Sequence, residues 1–331
     1  MDPMMLTHSQ RKDGVREDPG RKRKRLRTLL ALRNPVILAS GPLGRTATGL
    51  IRFGRFAGAV VGKSTTFLPR TGNPHPRLIS LGDYGLMNWE NLPNLGYERF
   101  AEELRLAKEQ CSCPVIASLG PSADLDQLKT IATTLEKAGA DALELDFKWG
   151  FDPQTGNTGN DISSSGVFDQ GVISATILGL KDVVSVPIIA KLVAFAGDIV
   201  EHAQAAEAAG AGAITAINTI FPAMKIDIHR QTPALSSVFG GLSGKSILPL
   251  AVAAVYRIYE AVNIPIIGCG GVTSGEDALE LNMAGADGVE MCTTAMVEGP
   301  SAFRRVNDEI DNLLQELGFA SAEECCGLAH R

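Results

Sequence analysis

Five polar side chains interrupt or close short apolar runs along the chain: Lys63, Ser118, Asp146, Lys191 and Asn218. One lysine in such a place reads equally well as a surface charge, but five recurring at run ends point into a common site. Two ammonium groups gathered there would stabilise negative charge developing on a bound group. The segment Ile264–Thr294, IPIIGCGGVTSGEDALELNMAGADGVEMCTT, supplies an anchor for that group. Its first apolar run breaks at Gly268, Gly270 and Gly271, where a missing Cβ lets backbone N–H groups approach an anion. Its second ends at Cys292, Thr293 and Thr294. Paired loops of this kind late in a long α/β chain form the phosphate grip of a (β/α)8 barrel.

A phosphate grip combined with two lysines suits a reduced flavin, whose pyrimidine end gathers negative charge. A nicotinamide dinucleotide would call for GxGxxG after the first strand and an acid further on. The chain has ASGPLGRTATG there instead. Flavin mononucleotide (FMN) is therefore the expected cofactor.

Eight strands must position these residues. The candidates are Val36 to Ala39, Ala59 to Gly62, Val115 to Ser118, Ala142 to Leu145, Ile188 to Ala190, Ala213 to Ile217, Ile266 to Gly268 and Val289 to Met291. All are continuous apolar runs, as expected where both faces of a parallel sheet are buried. CPVIA, VPIIA and IPIIG open alternate strands and AGADAL, AGAGAI and AGADGV the ones between, at a period of roughly 70 to 80 residues, which is a repeated βαβα unit. Helical periodicity fills the intervals at Ala123–Ala138, Asp198–Ala209 and Gly275–Ala284, with Asp or Ser near each start. The alternation predicts an α/β fold, a (β/α)8 TIM barrel with loop insertions over its C-terminal face; a doubly wound open sheet is the alternative. The insertions Phe67–Gly96 and Phe221–Gly241 leave carboxyl ends of strands and are expected to roof the site.

The 331 residues, 45% of them hydrophobic, suffice for one large domain, since a barrel takes about 250 residues. A net charge of −6 disfavours a nucleic-acid surface over the body of the protein. No apolar run reaches the roughly 20 residues of a membrane span, so a cytoplasmic protein is expected. The six cysteines and five histidines show no zinc or HExxH spacing, and no bound metal is expected. Residues 1–28, with the basic run Arg21–Arg27, read as a disordered solvated tail, or alternatively a localisation or nucleic-acid patch, ahead of one domain over 29–331. Cys269 reads as a small core residue, and His75 and His229 as turn residues.

The chain resembles the dihydroorotate dehydrogenases, especially their soluble NAD-linked branch, with dihydropyrimidine dehydrogenase as a cousin. The resemblance spans about Asn34 to Gly318. It rests on NPVILASGPLG, GKSTTFLPRTGNPHPR, GLMNWENLPNLG, IPIIGCGGVTSGEDALE and INTIFPAMKIDIHRQTPALSSVFGGLSGKSILPLAV. It implies that Ala39, Ser40, Lys63 and Ser64 lie along the flavin, with Lys63 also near substrate, and that Lys191 faces the N1 and O2 edge of the ring. Ser118, Asp146 and Asn218 belong to the same cofactor environment. Gly241, Gly270, Gly271, Cys292 and Thr293 would hold the ribityl phosphate, and Asn88, Asn94, Asn218 and Thr219 the substrate. The NAD-linked branch works with a separate iron-sulfur and flavin subunit, so an electron-transfer partner and a homo-oligomer are implied; this chain carries no cluster motif of its own.

The departures fall where the chemistry happens. The family's ELNxSCPN-like segment, whose Cys or Ser removes the proton, reads here Glu144, Leu145, Asp146, Phe147, Lys148, Trp149, Gly150, Phe151. Indole has no basic lone pair, so Trp149 at the base position cannot take a proton. Losing a positioned base costs about 100-fold to 10,000-fold in rate. An ionised Asp146 would repel a substrate carboxylate. Trp89 and Glu90 replace small residues in the substrate loop.

Three readings follow. The first is a flavin oxidoreductase of altered specificity, with Lys63, Lys148, Asp146 and Trp149 as candidate catalytic residues and Asp152 as a further proton source. The second is a true pyrimidine-ring dehydrogenase whose base is relocated to Thr155, Thr158 or Ser163–Ser165. The third is a flavin-binding subunit without turnover, in which Trp149 fills a vacated pocket.

Overall fold

The structure, a computed structural model, describes residues 25–122, 124–147, 170–194 and 198–331. Eight parallel strands close into a barrel: β1 Val36–Leu38, β2 Val60–Val61, β3 Val115–Leu119, β4 Ala142–Asp146, β5 Ile188–Leu192, β6 Ala213–Ala216, β7 Ile266–Cys269 and β8 Gly288–Met291. Each pairs with its sequence neighbours, and β8 returns to β1 through Leu38 opposite Met291. The open-sheet alternative is thereby excluded. Eight helices alternate with the strands: α1 Ala47–Gly54, α2 Tyr97–Gln110, α3 Leu125–Lys137, α4 Gln170–Lys181, α5 Ile199–Ala208, α6 Leu248–Ala261, α7 Gly275–Ala284 and α8 Ser301–Leu317. None of them among the described residues is long and apolar enough to cross a membrane.

Alternation along each strand divides the core in two. Outward residues such as Val36, Val115, Leu143, Ile188 and Ile214 pack against the helices in the larger cluster. Inward residues Ile37, Val61, Ile116, Ala142, Ile189, Ala213 and Ile267 form a separate cluster inside the barrel, joined by Leu26 and Leu30. Leu26 is fully buried and lies in the helix Leu26–Leu29. Among the described residues Leu26, inside the stretch expected to be a tail to residue 28, is therefore already part of the packed barrel interior together with Leu30. Residues 1–24 lie outside the described residues.

The helix starts follow from the residues read as caps. Asp124 accepts from the N–H groups of Asp126 and Gln127 to open α3, and Asp198 from Val200 to open α5. Ser274 and Asp277 form a reciprocal capping box on α7. The AGAD repeats also have a local task. Asp141 accepts from the N–H of Val115 at 2.6 Å and Asp287 from that of Ile266 at 3.2 Å, so each clips the start of the preceding strand to the next.

The two insertions meet in one structure. Leu78–Ser80, Leu86–Asn88, Gly240–Ser243 and Ile220–Ala223 form a four-stranded antiparallel sheet, with Gly241 opposite Asn88. Beneath it Met87, Trp89, Phe221 and Leu235 make a small apolar cluster of their own. Two-stranded pairs of this length would not stand alone; the pairing of Leu86–Asn88 with Gly240–Ser243 joins the two insertions into one sheet.

Candidate active site

A cavity of about 1020 Å³, counting its open mouth, lies between this sheet and the C-terminal ends of the barrel strands. Ser40, Lys63, Ser64, Asp146, Lys191, Asn218 and Cys292 come to it from the barrel. Asn88, Trp89, Glu90, Phe221 and Gly241 come from the insertions. A second lobe of about 500 Å³ shares Ser40, Lys191, Asn218 and Thr293 with it and runs under Gly244, Gly270 and Gly271.

A hydrogen-bonded chain crosses the floor. Ser40 Oγ donates to the Gly62 carbonyl at 2.8 Å and lies 3.2 Å from Ser64 Oγ. Ser64 Oγ lies 3.1 Å from Ser118 Oγ and 3.1 Å from Asp146 Oδ2. Asn218 Nδ2 donates to Asp146 Oδ1 at 2.7 Å, while Asn218 Oδ1 accepts from the N–H of Thr219. Both oxygens of Asp146 are thus engaged and its position is fixed from two sides. Ser118 is fully buried behind this chain and steadies it without reaching the cavity surface.

Below that level, in the barrel interior, sits a charged group of residues. Lys191 Nζ is 2.7 Å from Glu290 Oε2 and 3.4 Å from Glu144 Oε1, and Thr215 Oγ1 donates to Glu144 Oε2 at 3.1 Å. Glu144, Glu290 and Thr215 are essentially inaccessible and Lys191 is buried. Burial and the neighbouring Glu290 carboxylate push the Glu144 carboxyl up to about 8. Burial would lower the Lys191 ammonium, but the facing Cys269, Glu144 and Glu290 outweigh it and hold the group well above its ordinary value. At neutral pH Glu144 therefore keeps its proton, and Lys191 with Glu290 forms a neutral ion pair. Uncompensated charge in such an interior would be costly. Neither glutamate was singled out from the sequence, although a lone acid between apolar neighbours, as in LEL and VEM, is a legible signal.

The second lobe has a rim only glycine can form. Gly270 and Gly271 hold φ of 123° and 87°. A Cβ at Gly271 would lie 2.7 Å from the backbone N and Cα of Leu248. Opposite them, the helix Thr293–Glu298 begins, with first-turn N–H groups that no helix satisfies internally. Thr293 Oγ1 and Ser243 Oγ, 3.0 Å apart, complete the polar lining. Glycine backbone, hydroxyls and a helix start make a donor set suited to a phosphate. Ala39 and Cys292 line the same lobe, and burial pushes the Cys292 thiol up to about 11, which keeps it an uncharged wall. The donor set and the adjoining lysines fit a phosphate-bearing flavin.

Several expectations fall elsewhere. Asn94 does not line the cavity: its Oδ1 accepts from the N–H groups of Thr66 and Gly96, and its Nδ2 donates to Leu92, so the amide fixes the loop. Asn91 lies on the wall instead. Cys269 belongs to the second lobe next to Lys191 and is not a core filler, though burial raises its thiol strongly. His75 and His229 are exposed and do not line either cavity. Lys148, Trp149, Asp152, Thr155, Thr158 and Ser163–Ser165 lie outside the described residues.

A closed (β/α)8 barrel with its polar side chains gathered at the strand C-termini has the usual arrangement of a barrel enzyme. The chain belongs to the dihydroorotate dehydrogenase family, whose model matches residues 28–314. It is similar to the protein named dihydroorotate dehydrogenase B (NAD(+)), catalytic subunit, of Methanosarcina mazei, with 41% identity over 94% of this chain and 97% of that one. The proteins of the same name from Methanothermobacter thermautotrophicus and Pyrococcus abyssi are each 40% identical over 91% of this chain and 96% of their own. The chain is accordingly an oxidoreductase acting on CH–CH groups.

Proposed function

We propose that this chain is an FMN-dependent oxidoreductase that exchanges hydride between flavin N5 and a CH–CH bond of a small cyclic, pyrimidine-like substrate, with specificity altered from dihydroorotate. The observation that carries the reading is a pair of adjoining cavities that share Ser40, Lys191, Asn218 and Thr293 as walls, one rimmed by Gly270 and Gly271 and the other lined by Lys63. Bound there, FMN would supply a two-electron carrier that takes or returns hydride.

The chain's own residues divide the remaining work. Gly241, Gly270, Gly271, Cys292 and Thr293 would hold the phosphate end, and Ala39, Ser40 and Ser64 the ring. Lys191, fixed by Glu290, would offer its ammonium N–H groups to a bound ring, which favours an electron-rich reduced state. Asn88, Asn218 and Thr219 offer amide and hydroxyl groups that orient a heterocycle. The antiparallel sheet with Trp89 stacked on Phe221, centroids 4.9 Å apart, covers the site and excludes water. Asp146, held by Ser64 and Asn218, is the described carboxylate best placed to exchange a proton; Lys148 and Asp152 are further candidates to supply one, and Trp149 to stack against the substrate.

A second reading, oxidation of dihydroorotate itself with a base taken from Thr155, Thr158 or Ser163–Ser165, is favoured by the names of the relatives. Those names, each of a catalytic subunit, also support a further subunit as partner; we propose that this partner transfers electrons and that the chain works in the cytoplasm. Anaerobic titration of the flavin-loaded protein with cyclic amides and with dihydroorotate tests both. Bleaching by a cyclic amide that lacks a carboxylate supports the first; bleaching by dihydroorotate alone supports the second.

A further inference from the structure

The Lys63–Glu90 pair carries an inference about the substrate's charge, and it rests on the function proposed above. Lys63 leaves the end of β2 and Glu90 descends from the insertion just after the strand Leu86–Asn88. Their Nζ and Oε2 atoms are 3.1 Å apart, and both side chains are largely covered, at 11% and 15% exposure. Both line the larger cavity. A covered pair of this kind holds much better than an exposed one, since water and salt screen it less.

The balance of charge on the wall then matters. Among the described residues the cavity has two cations, Lys63 and Lys191, and each already faces a carboxylate of the protein. Asp146 adds a further acid, with its oxygens engaged by Ser64 and Asn218. An anionic substituent would have to displace Glu90 from Lys63 and leave that carboxylate partly buried without its cation. Like charges juxtaposed in such a site are strongly disfavoured. An uncharged ring with N–H donors meets no such penalty, because Glu90, Asp146 and the asparagine carbonyls are acceptors. Trp89 on Phe221 offers it a flat apolar face.

We propose that Glu90 is a specificity-determining residue: by neutralising Lys63 it closes the site to ring carboxylates and selects an uncharged cyclic amide.

The test is a pair of ligands that differ in one carboxylate. Uracil and orotate are titrated into the flavin-loaded protein and followed by the perturbation of the flavin spectrum. The same two are titrated calorimetrically into protein without flavin. The wild type should bind uracil about 10-fold or more tightly than orotate. Glu90→Gln, which keeps the shape and removes the charge, should tighten orotate by about 10-fold or more and change uracil by less than about 3-fold. Glu90→Ala should move the ratio the same way, with folding checked by thermal unfolding. Equal or tighter binding of orotate by the wild type overturns the proposal, as does a ratio unchanged in both variants. Failure to retain flavin would instead count against the proposed function, and the calorimetric ratio would still decide the role of Glu90.

Discussion

Glu144→Gln isolates the proton held in the barrel interior. In the wild type the Glu144 carboxyl is raised from 4.5 to about 8, chiefly by burial and then by Glu290. The folded protein therefore binds a proton there through a range in which the unfolded chain has lost it. The stabilisation is complete below the unfolded value near 4.5 and disappears as the pH rises to about 8. Linkage gives about 1.4 kcal/mol per pH unit, so roughly 3 kcal/mol between pH 5.5 and 7.5. Glutamine imitates the protonated acid: its oxygen can accept from Thr215 and its N–H can face Glu290. The variant should therefore match the wild type near pH 5 and exceed it by about 3 kcal/mol near pH 7.5. The assay is urea unfolding at several pH values on protein without flavin, because bound flavin would add its own linkage. Curves that stay parallel from pH 5.5 to 7.5 would refute the reasoning and show that Glu144 is ionised throughout.

Other perturbations probe separate parts of the account. Lys191→Met leaves the Glu290 carboxylate buried without its cation, beside a Glu144 that already holds its proton; the loss should be about 3–5 kcal/mol at neutral pH, as measured by the same urea curves. Gly271→Ala drives a Cβ into the backbone of Leu248 at a residue with φ of 87°, so flavin content after purification should fall along with the thermal midpoint. Trp149→Cys restores a proton acceptor at the family's base position. If only the base is missing, dihydroorotate-dependent flavin reduction should rise by about 100-fold or more, whereas no gain would place the block in the charge of the cavity.

The barrel was legible because its strands obey two simple rules at once. Apolar runs such as CPVIA and VPIIA mark burial on both faces, and the AGAD turns recur because Asp141 and Asp287 each clip a strand start. The glycine rim of the second lobe was legible because positive φ, as at Gly270 and Gly271, is a requirement that no other residue meets cheaply. What escaped was whatever depends on pairing between distant segments. The Glu144, Lys191 and Glu290 group joins three strands, and nothing local in ELD or VEM tells which cation they face. The Glu90 charge was visible as an oddity in its loop, but its partner Lys63 lies 27 residues away and meets it only because the insertion folds back over the barrel. Asn94 was misplaced for the opposite reason: its motif matched, while the loop's own N–H groups took up its side chain.

The central claim is that the glycine-rimmed lobe and the two lysines hold FMN. The most direct measurement is the visible absorption spectrum of the purified chain, before and after incubation with FMN and desalting. The account predicts a yellow protein that retains stoichiometric flavin and loses it on Lys191→Met or Gly271→Ala. A colourless wild type that releases all added FMN on desalting would contradict it.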